Sequence, residues 1–214
     1  ILVIGILVIG ITKGSRIIYN ARLKSAQSLT QSSPVVSTAN LALWLETTLD
    51  KSFADNEKIA NVAVSSWNDI NPHNSSPKNA TQPGASIIRP KYTINGINGL
   101  PVLNFDGADD RFILPDGTVP YGNSPYSIFL VSQTNTFCNC GLLGSGTYGS
   151  VNKVNAFVYS ASGKIVNYWW LADIATGTNV VTKSTAQIFN ANYNQSLRTI
   201  YVDGTLKTSL ASSN

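Results

Sequence analysis

AQIFNANYNQSLRTIYVDG, residues 186–204, holds two short apolar runs, AQIFNANY (186–193) and LRTIYV (197–202), and closes on the turn signal VDG (202–204). Runs of this length, rich in aromatic and β-branched residues and set between Asn, Asp and Gly, are the mark of antiparallel strands. The same texture extends outward to both sides. LALWLE (41–46), VAVSSW (62–67), PVLNF (101–105), RFIL (111–114), YSIFLVSQ (126–133), AFVYSA (156–161), KIVNYWWL (164–171) and NVVTK (179–183) read as further strands. NGING (95–99), FDGADD (105–110), PDG (115–117) and SGK (162–164) supply turns between them. Helical periodicity is absent after residue 40, with 50–60 the one ambiguous stretch. Many short strands punctuated this way predict an antiparallel sandwich.

The N-terminal end has a different texture. ILVIGILVIGI (1–11) carries no polar side chain, and TKGSRIIYNARLKSAQSL follows at once. Eleven apolar residues span about 16 Å as a helix, half of a bilayer core. A signal-peptide core has this length but needs a basic stretch before it and small residues after it. A buried core helix fits poorly with four basic residues immediately downstream. A membrane helix whose beginning precedes Ile1 is the third reading. Ile11, Ile17, Ile18, Ala21 and Leu29 continue an apolar stripe at three-to-four spacing. SLTQSSPVVSTAN (28–40) is polar and uncharged, and Pro34 predicts a helix end at or before Ser33.

Charge follows this division. The 214 residues are 43% hydrophobic, 12% charged, and +4 in net charge. Lys13, Arg16, Arg22 and Lys24 are the charges of residues 1–36, so the whole excess lies there, and 37–214 is neutral. This is not the footprint of a basic nucleic-acid-binding domain, and no nucleic-acid partner is expected. Polarity comes instead from 24 Ser, 18 Thr and 22 Asn. Four Trp and the apolar fraction exclude intrinsic disorder, and two Cys exclude a disulfide-dense scaffold.

Two resemblances sit on these residues. ILVIGILVIGITKGSRIIYNARLKSAQSL, with glycines at Gly5, Gly10 and Gly14, resembles the N-terminal helix of type IV pilins and pseudopilins. The early Glu of that pattern does not occur in this sequence, so the chain is expected to begin inside that helix. LALWLE, SSWND, NATQ, RPKY, NGINGLPVLNFDGADDRFIL and YSIFLVSQ, in that order and followed by a Y-V-D-G hairpin, resemble LamG-like domains of the concanavalin A-like lectin/glucanase superfamily. That resemblance spans about 41–205 and implies a two-sheet jelly roll, with closing strands beyond Asn214 and Trp44 and Trp67 as packing residues.

The expected fold is therefore α+β by content but mainly β: a pilin-like helix (1–33), a linker (34–40), and a jelly-roll head (41–214). The resemblance implies assembly rather than catalysis. Ile1, Leu2, Val3, Ile4, Ile6, Leu7, Val8, Ile9, Ile11 and Ile18 would meet lipid at the inner membrane and then neighbouring copies in a helical homopolymer. Gly10 and Gly14 would let the helix stretch. Pilus assembly machinery and surface glycans are the other expected partners. A minor pseudopilin, or a membrane-anchored lectin-like module, is the alternative.

No enzyme is expected. Glycosidases need paired carboxylates, and the two glutamates, Glu46 and Glu57, are not so paired. His73 has no marked partner. Asp106, Asp109 and Asp110 have Ca²⁺-like spacing but read better as a tight turn, so no cofactor is expected beyond this weak calcium candidate. Cys138 and Cys140 can bridge each other or pair outside the chain. In NYWWL, alternation sends Trp169 to one face and Tyr168 and Trp170 to the other. One of Trp169 and Trp170 belongs to the core, and the other is a candidate glycan contact.

Overall fold

A computed structural model describes residues 2–151 and 153–211, with side chains described from residue 14 onward. Helix α1 runs Leu2–Gln31. Ser33 has already left helical geometry, with ψ at 150°, and Pro34 opens a single 3₁₀ turn, Pro34–Ser37. The proline lacks the N–H that another α turn would need and keeps its predecessor extended. Among the described residues, no helix is long and apolar enough to cross a membrane.

Two compact units divide the chain, Ile1–Pro115 and Asp116–Asn214. In the first, one face of α1 is covered. Tyr19, Leu23, Ala26, Gln27 and Thr30 are half-buried or buried. Gln27 donates from Nε2 to Thr48 O at 2.8 Å and to Asp50 Oδ1 at 3.2 Å. Tyr19 shares a side-chain hydrogen bond with Tyr92, whose hydroxyl pKa is pushed up by burial and then by Tyr19 and the nearby carboxylates. The opposite face leaves Ile17, Ile18 and Leu29 exposed.

Regular strands in this unit are short. β1 (Ser66–Trp67) pairs with β2 (Ala80–Thr81), and β3 (Lys91–Thr93) pairs with β4 (Val102–Asn104). Two of the predicted strands are not formed. Residues 41–46 are irregular, and 111–114 contributes only the bridge from Ile113 to Thr81. For 41–46 the reason lies in competing side-chain acceptors. Asp69 takes the Trp44 N–H at 3.0 Å, and also those of Asn71 and Lys78 and the Asn74 amide. Glu46 takes Thr48 N, Thr48 Oγ1, Leu49 N and Ser52 Oγ, all within 2.7 Å. Carboxylates that satisfy this many donors replace a ladder. Phe53, Val64 and Tyr92 form the small core, with Trp67 and Phe112 packed against it. Trp67 and Phe53 rings lie 6.1 Å apart, and the Trp67 indole donates to Glu46 O.

The second unit holds two antiparallel four-stranded sheets. β5 (Tyr126–Ser132), β10 (Gln187–Tyr193), β11 (Leu197–Val202) and β12 (Thr205–Ala211) form one, in the order β12-β11-β10-β5. β6 (Cys140–Gly146), β7 (Val154–Tyr159), β8 (Ile165–Tyr168) and β9 (Ile174–Ala175) form the other, in sequence order. Inward residues of both sheets share one core, with Phe157, Ile165, Phe189, Ala191, Ile200 and Trp169 fully buried. The molecule is thus mainly β with one N-terminal helix. NVVTK (179–183) is not a strand. Asn179 has a φ of 59°, and the Asn179 and Val181 N–H groups bind Ser162 O and Gly163 O in the β7–β8 turn. The one salt bridge among the described residues, Lys58 to Asp55, lies on the surface.

Asp69 carries a testable consequence. Burial raises its pKa, but the N–H groups of Lys78, Trp44 and Asn71 and the Asn74 amide together outweigh that and hold it below the usual carboxylate range. A folded pKa below the unfolded value gives stability that is complete above about pH 4 and lost as pH falls through the lowered value. D69A is expected to destabilise the first unit by about 2–3 kcal/mol. D69N is expected to flatten the acid limb of the stability profile, read by urea unfolding across that pH range.

Candidate functional site

The end of β8 gathers a second group of aromatic residues. Inward positions Ile165 and Asn167 alternate with outward Val166 and Tyr168, and the period carries Trp169 inward. Trp169 is 1% exposed. Its place in the core corrects its candidacy as a glycan contact, since a ring enclosed on both faces cannot receive a sugar. Trp170 and Leu171 then take positive φ values of 52° and 61° and reverse the chain. Left-handed geometry is unfavourable for non-glycine residues, and two anchors hold it here. Asp173 Oδ1 accepts the Trp169 N–H at 2.8 Å, and the Arg198 guanidinium binds Ala172 O.

Arg198 is completely buried. It stands on β11 facing inward, between Tyr193 and Ile200. Nη2 donates to Asn167 O at 2.6 Å and to Asn167 Oδ1 at 2.7 Å, and Nε reaches the same Oδ1 at 3.2 Å. Its carbon Cζ lies 3.8 Å from the Trp169 ring centroid, a cation–π contact. Burial lowers the guanidinium pKa, while Tyr126 and Asp173 act the other way. Tyr126 donates its hydroxyl to Asn167 Oδ1, Asn167 donates to Asn155 Oδ1, and Asn155 donates to Pro120 O. The two sheets are thus joined through a polar cluster inside an apolar core.

Outside, Trp170 meets two tyrosines. Its ring is 4.7 Å from Tyr148, edge to face, and 6.3 Å from Tyr168. Tyr148 and Tyr168 lie parallel within 6° at 6.0 Å. Partial desolvation, and then Tyr148, push the Tyr168 hydroxyl pKa up to about 12. Tyr148 comes from the β6–β7 turn, which closes on Gly146. That residue has a φ of 95°, and a Cβ there would sit 1.9 Å from Lys153 O. Sequence reasoning placed Tyr168 beside Trp170 but missed Tyr148, whose turn follows a Gly-rich strand without strong β signal.

The remaining candidates are dispersed. Cys138 and Cys140 are disulfide-bonded to each other. Asp106, Asp109 and Asp110 bring their carboxylates within 4.8 Å of one another on the surface. Asp106 Oδ1 accepts the N–H of Ala108 at 2.8 Å and of Asp109 at 3.3 Å, an Asx turn. The Ala108 N–H leads in holding the Asp106 carboxyl below its usual range. Glu46 is committed to its backbone turn, and Glu57 Oε1 takes Ser65 N and Oγ. His73 Nε2 donates to Val36 O at 2.6 Å. Of the helix positions, Ile1 and the side chains of 2–13 lie outside the described residues. Ile18 is exposed, and a Cβ at Gly14 would meet nothing within 4 Å. On the other sheet, the outward face carries exposed Phe129, Val131, Ile188 and Leu206.

No protein-family model and no curated protein matches the chain. Among solved structures, the chain is similar to residues 221–444 of an S-layer domain-containing protein from Clostridium thermocellum, at 19% identity and a TM-score of 0.42. The alignment covers 78% of this chain and 71% of that one.

Replacing Arg198 strands the Asn167 and Ala172 acceptors. R198A is expected to cost about 3 kcal/mol in urea unfolding and to reduce the near-UV signal of Trp169. For the cysteines, intact mass should rise by two hydrogens on reduction, and alkylation should label two thiols only afterwards.

Proposed function

We propose that this chain is a structural subunit of an extracellular type IV pilus-like filament. α1 lies in the filament core, and a LamG-like jelly-roll head is displayed outward. The observation that carries this is the two-sided helix. One face, Tyr19 to Thr30, is packed within its own unit, while Ile17, Ile18 and Leu29 on the other face remain exposed. An apolar stripe left open beside a wholly apolar Ile1–Ile11 is suited to burial against other copies, at about 25 cal/mol per Å². The neutral head supports the same reading, because closely packed copies with net charge would repel. Two antiparallel sheets around one core are compatible with a jelly roll. Before assembly, Ile1–Ile11 would be held by the inner membrane, where the assembly machinery collects subunits. Once on the surface, the head is the part available for adhesion to glycans.

The test is assembly. Fibres sheared from cells expressing the chain should contain it when imaged by electron microscopy. The exposed pair I17S/I18S should lower fibre yield severalfold while leaving the melting temperature of the purified chain unchanged. Filaments formed by protein lacking residues 1–33 would overturn the proposal.

A further inference from the structure

Tyr148, Tyr168 and Trp170 pack on one another outside the core of their unit. Tyr148 is 75% exposed and the adjoining Leu171 83%, while Tyr168 and Trp170 are half-buried. Trp169 already fills the core at this point, so a second tryptophan is not needed for packing. The chain nevertheless holds Trp170 and Leu171 in a left-handed conformation, and anchors both sides of that turn on Asp173 and on buried Arg198. Strain that a rigid core maintains, and that turns an indole toward solvent, points to use.

We propose that these three rings are a stacking platform for the C–H face of a neutral pyranose, the ligand site through which the head contacts glycans. This deepens the adhesion role proposed above and rests on it, but it does not require the helix to polymerise. A pyranose with equatorial hydroxyls presents a flat apolar face of ring size and a polar rim. The platform matches both: its open aromatic surface is the Tyr148 ring, and its rim is the hydrogen-bonded pair of Tyr148 and Tyr168 hydroxyls with the exposed Asp173 carboxylate. Other occupants fit less well. Among the described residues, the cations that stand over aromatic rings are Lys183 on Phe137 and Arg198 on Trp169, neither on these three rings. The charge that acts on Tyr168 is the Asp173 carboxylate, with Lys153 across the turn from Thr147, so no cluster of cations among the described residues invites phosphate, sulfate or nucleic acid. A quaternary ammonium needs a gap enclosed by ring faces. Here Trp170 and Tyr148 touch at 4.7 Å, and no such gap exists between them.

The experiment titrates the full 214-residue chain with cellotetraose, laminaritetraose and chitotetraose, with dextran sulfate as the anionic control. Tryptophan emission and saturation-transfer NMR are the readouts. At least one neutral tetrasaccharide should give a saturable change in the millimolar range or tighter. W170N, which places a residue tolerant of left-handed geometry at the turn, should weaken it about tenfold or more, and Y148A by less. Unchanged near-UV signal from Trp169 shows that the fold is intact in both variants. The proposal is overturned if none of the three saturates, if W170N binds as the wild type does, or if dextran sulfate binds in preference. Self-association lost in W170N, without any saccharide response, overturns it in favour of contact between copies. W170N fibres that still assemble but no longer bind would separate this site from filament formation, whereas saccharide binding by an I17S/I18S chain that forms no fibres would leave this site standing alone.

Discussion

A guanidinium with no access to water governs the second unit. Taking an Arg out of solvent is costly unless each of its three nitrogens finds an acceptor. Arg198 meets that condition through Asn167 and Ala172, with the Trp169 face against its plane. Its own strand, β11, belongs to one sheet, and Asn167 on β8 belongs to the other. Apolar contacts are non-directional and place two faces only through the fit of their side chains. A forked donor needs its acceptors at fixed spacing, so this contact sets the register of one sheet against the other. It also fixes the turn after Trp169 through Ala172 O, and with it the place of Trp170.

The first unit solves its connectivity differently. It has four strands of two or three residues and a small aromatic core. Asp69 and Glu46 each gather four hydrogen bonds, mostly from the backbone of irregular segments. The W-x-D step of the sequence, Trp67 to Asp69, thereby has a physical meaning. The indole closes the core and binds Glu46 O, while the carboxylate two residues on organises the loops.

Much of this was legible from residues alone. The longer strands, β5, β7, β8, β10 and β11, announce themselves by apolar alternation, and Pro34 marks the end of α1. The inward and outward division of Trp169 and Trp170 follows from strand period. Other parts were not legible, the Gly-rich β6 among them. β12, TLKTSLA, is an exposed edge whose pairing comes from its neighbour rather than from its own pattern. Residues 41–46 and 179–183 have strand composition, but their N–H groups find carboxylate or turn acceptors first. Arg198 looks like any surface cation in LRTIYV, because its burial depends on an asparagine thirty-one residues away in the chain.

The scarcity of ion pairs has a consequence of its own. Among the described residues, one salt bridge occurs, between Lys58 and a fully exposed Asp55. Added salt screens such surface pairs and leaves buried hydrogen bonds and apolar contacts almost untouched. Both units are built from the second kind of contact. Screening of surface charge therefore removes little of what holds either unit together, because so few of the described contacts are charge pairs.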